Sequence, residues 1–169
     1  MMIETERLVL RPYGNDDVNG LVRLLTDPII TETFMVPEFK SREEVQRLAK
    51  KLISFSSPDD ASHLELGIYL DGELIGFVND CGIDGDEIEI GYVIHPDHQG
   101  HGYATEAVRA LISHLAGQGF SKIKAGYFEE NHASRRVMEK CGMSDSDETE
   151  EEEYRGVVHN CRYMEINMT

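Results

Sequence analysis

The stretch from Glu87 to Ala116 constrains the fold more than any other part of this 169-residue chain. Its first eight residues alternate between two faces, which predicts a β-strand. One face holds Ile88, Ile90, Tyr92 and Ile94, and the other holds Glu87, Glu89, Gly91 and Val93. The end of the stretch predicts a helix, because its apolar residues recur at the spacing of one helical face. These residues are Ala104, Ala107, Val108, Leu111, Ile112, Leu115 and Ala116.

Two glycines, Gly100 and Gly102, lie between this strand and this helix. A helix begins with unpaired N–H groups and a partial positive charge. Because glycine has no Cβ, it lets an anion come close to those N–H groups. The sequence therefore predicts a phosphate-binding cradle at the start of the helix, and a phosphorylated ligand within it.

The length and the apolar fraction of 40% are typical of one folded domain, and we expect residues 1–169 to form it. No apolar run approaches the roughly 20 residues that span a bilayer, so no membrane segment is predicted. The opening MMIETERLVL lacks the basic and apolar regions of a signal peptide. The three cysteines are widely spaced and form no CxxC motif, which indicates neither a zinc site nor a disulfide framework. We expect a cytoplasmic protein.

The formal net charge of −16 argues against a nucleic-acid partner, because no basic stripe is available to replace phosphate counterions. It favours cationic partners such as amines, polyamines or basic protein tails. Solubility alone is the equally good explanation of such a charge, since net charge affects association and not chemistry.

The segments before the central stretch predict a strand, two helices and a hairpin. Leu8 and Leu10 mark one face of the strand, and Pro28 ends the first helix. Ser41 and Glu44 match the capping box that opens the second helix. The predicted strands span 5–12, 63–70 and 73–80, the last two joined at Asp71-Gly72; the helices span 16–27 and about 42–57; residues 29–40 and 82–86 are predicted to be loop and turn.

After the central stretch we expect a strand at 122–128, which can run parallel to the central strand because a helix crosses over between them. Asn131 caps a short helix, and Gly142 ends it. The tail predicts a hairpin that turns at Arg155-Gly156. Residues 145–153 hold seven acids in nine positions, which predicts a poor strand and a solvated or mobile edge.

This order of elements, together with QGHGYA at residues 99–104, resembles the GNAT superfamily of N-acetyltransferases. Gln99, Gly102 and Ala104 match its Q/R-x-x-G-x-G/A signature. EIGYVIHPDHQG, YATEA and the opening ETERLVLRP are most similar to the acetyltransferases of ribosomal-protein N-termini and of spermidine. The resemblance implies an α/β fold with a largely antiparallel mixed sheet of about seven strands and about four helices. Two splayed central strands would form the coenzyme A cleft.

The resemblance also implies acetyl-CoA as the acetyl donor, with no metal. The backbone of Tyr92, Val93 and Ile94 would pair with the pantetheine arm, and Asn131 would contact the same arm. The pyrophosphate would be held by Gln99, Gly100, His101, Gly102, Tyr103, Ala104 and Thr105. Gly91 has two explanations, which are a close backbone approach at the cleft and simple packing space.

The chemistry needs a group that takes the amine's proton and a group that protonates the leaving thiolate. Glu89 is our candidate base or substrate anchor, and the alternative is a solvent-facing strand carboxylate. Ser134 matches the serine of an N-x-x-S pattern that can meet the sulfur of coenzyme A, or it is an ordinary helix residue. The wider family often has a tyrosine acid where this chain has Met138. Ser134, a water molecule or a tyrosine such as Tyr127 would then have to serve.

The three histidines His95, His98 and His101 could suggest a metal site. Their spacing spans a turn that contains Pro96, and no carboxylate or cysteine pattern accompanies them. We therefore expect them to lie near the phosphates or in solvent.

The predicted activity is transfer of an acetyl group from acetyl-CoA to a primary amine by direct attack in a ternary complex. A polyamine, an aminoglycoside-like small molecule or a basic peptide N-terminus would fit the acidic composition equally well. The alternative is a non-catalytic acyl-CoA sensor on the same fold, because the helix tyrosine is missing. A homodimer is possible by family analogy.

Overall fold

The computed structural model of the protein describes residues 1–59 and 62–168, and in these ranges eight strands and five α-helices form two large apolar clusters and a small third one. The strands are β1 (Ile3–Glu4), β2 (Leu8–Arg11), β3 (Glu65–Leu70), β4 (Glu73–Asp84), β5 (Glu87–Ile94), β6 (Lys122–Phe128), β7 (Ser144–Tyr154) and β8 (Val157–Asn167). The helices are α1 (Val18–Thr26), α2 (Pro28–Thr33), α3 (Arg42–Phe55), α4 (Tyr103–Gly117) and α5 (His132–Lys140). No helix within these ranges is long and apolar enough to cross a membrane.

All eight strands belong to one sheet in the order β1-β2-β3-β4-β5-β6-β8-β7. β5 and β6 run parallel, as α4 crosses between them, and the other neighbouring pairs of these strands are antiparallel. The mixed, largely antiparallel sheet predicted from the sequence is confirmed.

Each face of the sheet is covered by helices, and each has its own apolar cluster. On one face Ile90 of β5 packs with α4 and with Met138 of α5. On the other face Val93 of β5 and Phe77 of β4 pack with α1 and α3. Successive residues of a strand point to opposite faces, so β5 contributes to both clusters.

The structure has one strand and one helix more than the sequence predicted. The extra strand is the two-residue β1, and the extra helix is α2, which occupies the first part of the predicted loop 29–40. Pro28 indeed follows the end of α1, but it also takes the first position of α2, where its missing N–H costs no hydrogen bond. The carboxylate of Asp27 accepts hydrogen bonds from the N–H groups of Ile29 and Ile30, and so caps the new helix.

Two boundaries predicted from turn and charge patterns are wrong. β4 continues to Asp84, so the predicted turn at 82–86 shortens to a tight turn around Gly85. The acidic run 145–153 forms most of β7 instead of a poor strand, because it pairs with β8 and leaves its carboxylates in water. Its prediction as a solvated edge is confirmed, since β7 is the outermost strand.

Candidate functional site

The candidate site lies where β5 and β6 separate. Their parallel pairing runs from Glu87 with Lys122 to Ile90 with Ala125 and ends there. Beyond that point the residues 91–94 of β5 pair only with β4 on their other side, while residues 126–128 of β6 pair with β8. The backbone edges that face each other across this gap are thus free for a ligand, as the splayed cleft predicted from the sequence requires.

The side chains at this gap divide between the two faces of the sheet. Glu89 and Gly91 share the face of Val93, which is covered by α1–α3. Tyr92 lies on the opposite face and packs against the cluster beneath α4 and α5. A ligand in the gap would therefore meet different side chains on its two sides.

Glu89 lies directly at the separation point. Its side chain is 27% exposed, against 55% for that of Glu87, two residues earlier on the same face. A Cβ on Gly126, the first residue of β6 beyond the parallel pairing, would lie 3.5 Å from Oε1 of Glu89. The Nζ of Lys124 is 4.0 Å from Oε2. The carboxylate thus borders the gap, while that of Glu87 is directed to solvent.

The surroundings of Glu89 favour its protonated form relative to a free glutamate. Burial raises the pKa of this carboxyl, and the positive charge of Lys124 counteracts the rise. The negative charges of Glu148 and Glu150 on β7 raise the pKa further. The net direction is upward, which makes the ionised Glu89 a stronger base than an exposed carboxylate.

Three side chains converge on the backbone of Gly91. A Cβ placed on Gly91 would lie 2.7 Å from Oδ1 of Asn79, 3.2 Å from Sγ of Cys81 and 3.2 Å from Cε2 of Phe34. The absence of a side chain at Gly91 thus leaves room for close packing, which is the second of the two explanations given from the sequence. Phe34 in turn packs edge-on against Phe77, with ring centroids 5.4 Å apart.

Asn79 and Cys81 place different polar groups beside Gly91. Oδ1 of Asn79 is buried and has no hydrogen-bond partner among the residues that the structure describes. Cys81 lies at the irregularity of register between Asp80 and Gly82. Cys81 is exposed as a residue, but desolvation of its thiol by the neighbouring groups, followed by the negative charge of Glu89, raises the pKa of that thiol to about 12. Cys81 is therefore no thiolate nucleophile at neutral pH.

On the opposite face, Tyr92 and Ser134 contact each other across the gap. The phenol oxygen of Tyr92 is 3.0 Å from Oγ of Ser134 and 3.1 Å from its carbonyl oxygen. Burial raises the pKa of Tyr92 well above its usual value, so the phenol keeps its proton at neutral pH. The sequence did not single out this hydroxyl, since only the backbone of Tyr92 was assigned a role.

Tyr127, named from the sequence as a possible acid, has a different partner. Its phenol oxygen accepts a hydrogen bond of 2.7 Å from Arg135. Asn131 caps α5 as predicted, with its Oδ1 accepting from the N–H of Ser134 at 3.2 Å. The cap fixes the start of α5, and with it the position of Ser134 beside Tyr92.

The predicted phosphate cradle has the backbone that its glycines allow. Gly100 and Gly102 have φ of 81° and 80°, in the left-handed region that favours glycine. No atom lies within 4 Å of a Cβ on Gly100, so its outer side is open. The side-chain amide of Gln99 donates a 2.9 Å hydrogen bond to the carbonyl of Ile94, which ties the loop to the end of β5.

The remaining predicted residues of the cradle form the first turn of α4 and its approach. Tyr103, Ala104 and Thr105 are the first three residues of α4. Their N–H groups are among those at the start of a helix that have no acceptor within the helix. The ring of His101 stacks on that of Tyr103, with centroids 5.5 Å apart. The loop thus brings the predicted residues 99–105 together at one end of the gap.

The three histidines of the loop point to different partners. His95 is buried, with its Nε2 3.5 Å from Asp27, which corrects the expectation that it lies near phosphate or solvent. Nε2 of His98 is 3.7 Å from Glu73, and Nδ1 of His101 is 3.2 Å from the carbonyl of His98. No group of three potential metal ligands converges anywhere in residues 1–59 and 62–168.

The tip of the β7–β8 hairpin holds the loop that carries Phe34. The hydroxyl of Tyr154 donates a short hydrogen bond to the carbonyl of Thr31 and accepts one of 3.3 Å from the N–H of Val36. Nη2 of Arg155 donates to the carbonyl of Val36 at 3.2 Å. These contacts join segments about 120 residues apart, which is why no local sequence pattern pointed to them.

Comparison with known proteins agrees with this geometry. A family model described as an acetyltransferase (GNAT) domain matches residues 7–144. The Bacillus subtilis protein YnaD, an uncharacterized N-acetyltransferase, is 30% identical over 145 residues, which are 85% of this chain and 82% of YnaD.

Two solved structures share the fold. RimL, a ribosomal alpha-N-protein acetyltransferase in complex with coenzyme A, superposes with a TM-score of 0.87 at 19% identity, covering 99% of this chain and 98% of RimL. A chimera of the spermidine N-acetyltransferase SpeG from Vibrio cholerae with hSSAT gives a TM-score of 0.79 at 21% identity, covering 96% of both chains. These are the two kinds of acetyltransferase that the sequence motifs resemble, and the matching family model spans most of the chain. The chain therefore belongs to the GNAT family of acetyltransferases.

Proposed function

We propose that the protein transfers an acetyl group from acetyl-CoA to a primary amine by direct attack within a ternary complex. The observation that carries this proposal is the gap between β5 and β6, with Glu89 at its edge on one face and the pair of Tyr92 and Ser134 on the other. One face would admit the amine and the other the thioester.

The cofactor side of the proposal rests on the free edge of β5 and on the glycine cradle. The backbone groups of Tyr92, Val93 and Ile94 would bind the amides of the pantetheine arm as an added strand. The N–H groups of residues 100–105 would bind the pyrophosphate, as helix starts do for anions. The amide nitrogen of Asn131 is the further donor that the arm would meet, since its Oδ1 is bound within the cap.

Glu89 is the proposed base. When bound, acetyl-CoA supplies a thioester whose acyl carbon the amine attacks, so that a C–N bond forms and the C–S bond breaks. A protonated amine cannot attack, and Glu89 would take its proton directly or through one water. The raised pKa of Glu89 supports this role, because a stronger base takes up the amine's proton more readily.

Ser134 and Tyr92 are the proposed proton source for the sulfur. The Ser134 hydroxyl would donate to the departing thiolate, and the Tyr92 phenol, 3.0 Å away, would replace that proton. Because its pKa is raised, the Tyr92 phenol is protonated at neutral pH, and it would regain a proton from solvent after the transfer. The pair would do the work of the missing tyrosine at position 138.

The acceptor that we propose is a cationic primary amine: a polyamine, an aminoglycoside-like molecule or a basic peptide N-terminus. The face that holds Glu89 is negatively charged, because Glu148 and Glu150 of β7 act on the same carboxylate. The net charge of −16 would attract any of these cations from a distance.

The test is release of free thiol from acetyl-CoA over a panel of amines, followed as a function of pH. Glu89→Gln should lower kcat/KM by about 100-fold, the lower limit for loss of a positioned base, and remove the acidic limb of the profile. Glu87→Gln is the matched control, because it removes the same charge from the same strand and face but at an exposed position. An unchanged rate and pH profile for Glu89→Gln would remove it as the base.

Binding measurements complete the test. Isothermal titration with coenzyme A should show binding to the wild type and to both variants, since neither carboxylate belongs to the cradle. Tight binding without thiol release on any amine would identify an acyl-CoA sensor and end the proposal of an enzyme.

A further inference from the structure

The segment Thr5–Arg7, before β2, is fastened to the first turn of α4. Oε1 of Glu106 accepts hydrogen bonds from the hydroxyl of Thr5 at 2.7 Å and from the N–H of Arg7 at 2.8 Å. Oε2 of Glu106 accepts from Nε of Arg7 at 2.7 Å, and Nη2 of Arg7 lies at the same distance. This part of the TERLVLRP motif has no role in the function proposed above.

Glu106 places a negative charge beside the predicted phosphate cradle. It lies in the first turn of α4, where an acid favours the helix but repels a bound phosphate. Burial raises the pKa of this carboxyl, but the hydrogen bonds from Thr5 and Arg7 outweigh burial and lower it. Glu106 is therefore ionised at neutral pH, and the anion site needs a cation close to it.

The guanidinium of Arg7 is that cation, and it lies against the cradle. Its Cζ is 4.5 Å from the ring centroid of Tyr103, the first residue of α4. Its Nη2 is 3.6 Å from the place that a Cβ on Gly102 would take. Nε and Nη2 are bound to Glu106, whereas Nη1 is bound to no residue within the described ranges. The side chain is 41% exposed, so a ligand can reach that free edge.

We propose that Arg7 binds the pyrophosphate of acetyl-CoA, with one side of its guanidinium neutralising Glu106 and the free Nη1 edge donating to a phosphate oxygen. Arginine suits this double role because its five N–H groups form a rigid planar fork. This inference rests on the function proposed above. It adds to the backbone cradle a side chain that cancels the charge of Glu106 and donates a hydrogen bond to the anionic cofactor.

Equilibrium binding of coenzyme A to Arg7→Gln tests the proposal without need of an acceptor. We expect about tenfold weaker binding, the lower end for one charge-assisted hydrogen bond at a partly exposed site. Arg7→Lys should recover part of the loss, and the loss should shrink as ionic strength rises. Arg42→Gln, which changes the net charge equally at an exposed position on α3, should bind like the wild type.

Two further measurements separate direct contact from structural support. Dephospho-coenzyme A retains the pyrophosphate but lacks the 3′-phosphate, so Arg7→Gln should weaken its binding by the same factor. An undiminished affinity of the variant for this probe would overturn the assignment to the pyrophosphate. In the double variant Arg7→Gln/Glu106→Gln the acid is gone, and binding should remain weaker than in Glu106→Gln alone. Equal binding of those two proteins would show that Arg7 only cancels Glu106, and would overturn the direct contact.

The outcomes for the two proposals differ. If the wild type itself binds no coenzyme A, the proposed function fails and with it the site. If the wild type binds and Arg7→Gln binds equally well while remaining folded by circular dichroism, only the role of Arg7 is refuted.

Discussion

Replacement of Gly91 by alanine adds one methyl group at the most crowded point of the candidate site. That methyl would lie 2.7 Å from Oδ1 of Asn79, closer than real Cβ atoms approach a neighbour. It would also lie 3.2 Å from both Cys81 and Phe34. The amide of Asn79 must therefore move, and Phe34 with it.

Two opposing effects set the magnitude. Overpacking of a well-filled site costs about 1–3 kcal/mol. The lower entropy of an unfolded chain with alanine in place of glycine gives back about 0.4–1 kcal/mol, because Gly91 has no positive φ to penalise a side chain. The net loss should be about 1–2 kcal/mol. For a chain of this length that corresponds to a fall in Tm of about 2–8 °C.

Thermal unfolding monitored by circular dichroism measures the effect, and Gly82→Ala is the matched control. Gly82 lies in the neighbouring strand β4, and a Cβ there meets no atom within 4 Å. Gly82→Ala should leave Tm unchanged or raise it slightly, opposite in sign to Gly91→Ala. The double variant Asn79→Ala/Gly91→Ala should recover part of the loss, since the closest obstacle is gone. A Tm for Gly91→Ala equal to that of Gly82→Ala would refute the steric argument.

Three other substitutions test separate parts of the structure. Burial raises the pKa of Glu65 to about 8, and the carboxyl bonds to Tyr13 at 2.6 Å. The folded protein thus keeps a proton that the unfolded chain releases near pH 4.5, so the free energy of unfolding should fall as the pH rises from 4.5 to about 8. The urea midpoint of the wild type should decrease over this range, and that of Glu65→Gln should not. Tyr154→Phe removes the hydrogen bonds that hold the loop of Phe34, so it should destabilise the protein by about 1–2 kcal/mol. It should also raise KM for the amine more than KM for acetyl-CoA, and equal changes in the two KM values would contradict a role at the acceptor face. In steady-state assays Ser134→Ala should lower kcat about tenfold and leave KM for acetyl-CoA unchanged. This loss is smaller than a full general acid contributes, because a thiolate leaves readily. An unaltered kcat would exclude the serine as proton donor.

Local signals predicted the parts of the fold that local physics determines. The central strand begins and ends where its alternation placed it, at Glu87 and Ile94. The hairpin between β3 and β4 turns at Asp71-Gly72, both with positive φ, as that dipeptide allows. The parallel pairing of β5 with β6 followed from the helix between them.

Long-range contacts decided the rest of the site. Tyr92 and Ser134 are 42 residues apart, and neither has a neighbour in sequence that marks the contact. The alternation of polar and apolar residues in β5 predicted that Glu89 faces solvent. In the structure, the adjoining strand β6 and the acidic strand β7 partly enclose its carboxylate. In β7 itself the charge pattern predicted a poor strand, and the ladder with β8 outweighed the repulsion. Each of these differences depends on which strands and helices are neighbours in space, and no local sequence pattern specifies that.

The two outer strands have a consequence for self-association. An unpaired strand edge is a template for another chain, and proteins blunt such edges by shortening them or charging them. Here one margin of the sheet is β1, with two residues, and the other is β7, with its run of carboxylates. Both margins therefore disfavour edge-to-edge pairing with a second copy at neutral pH. Acidification would remove the repulsion along β7 first, and edge-to-edge aggregation should begin there.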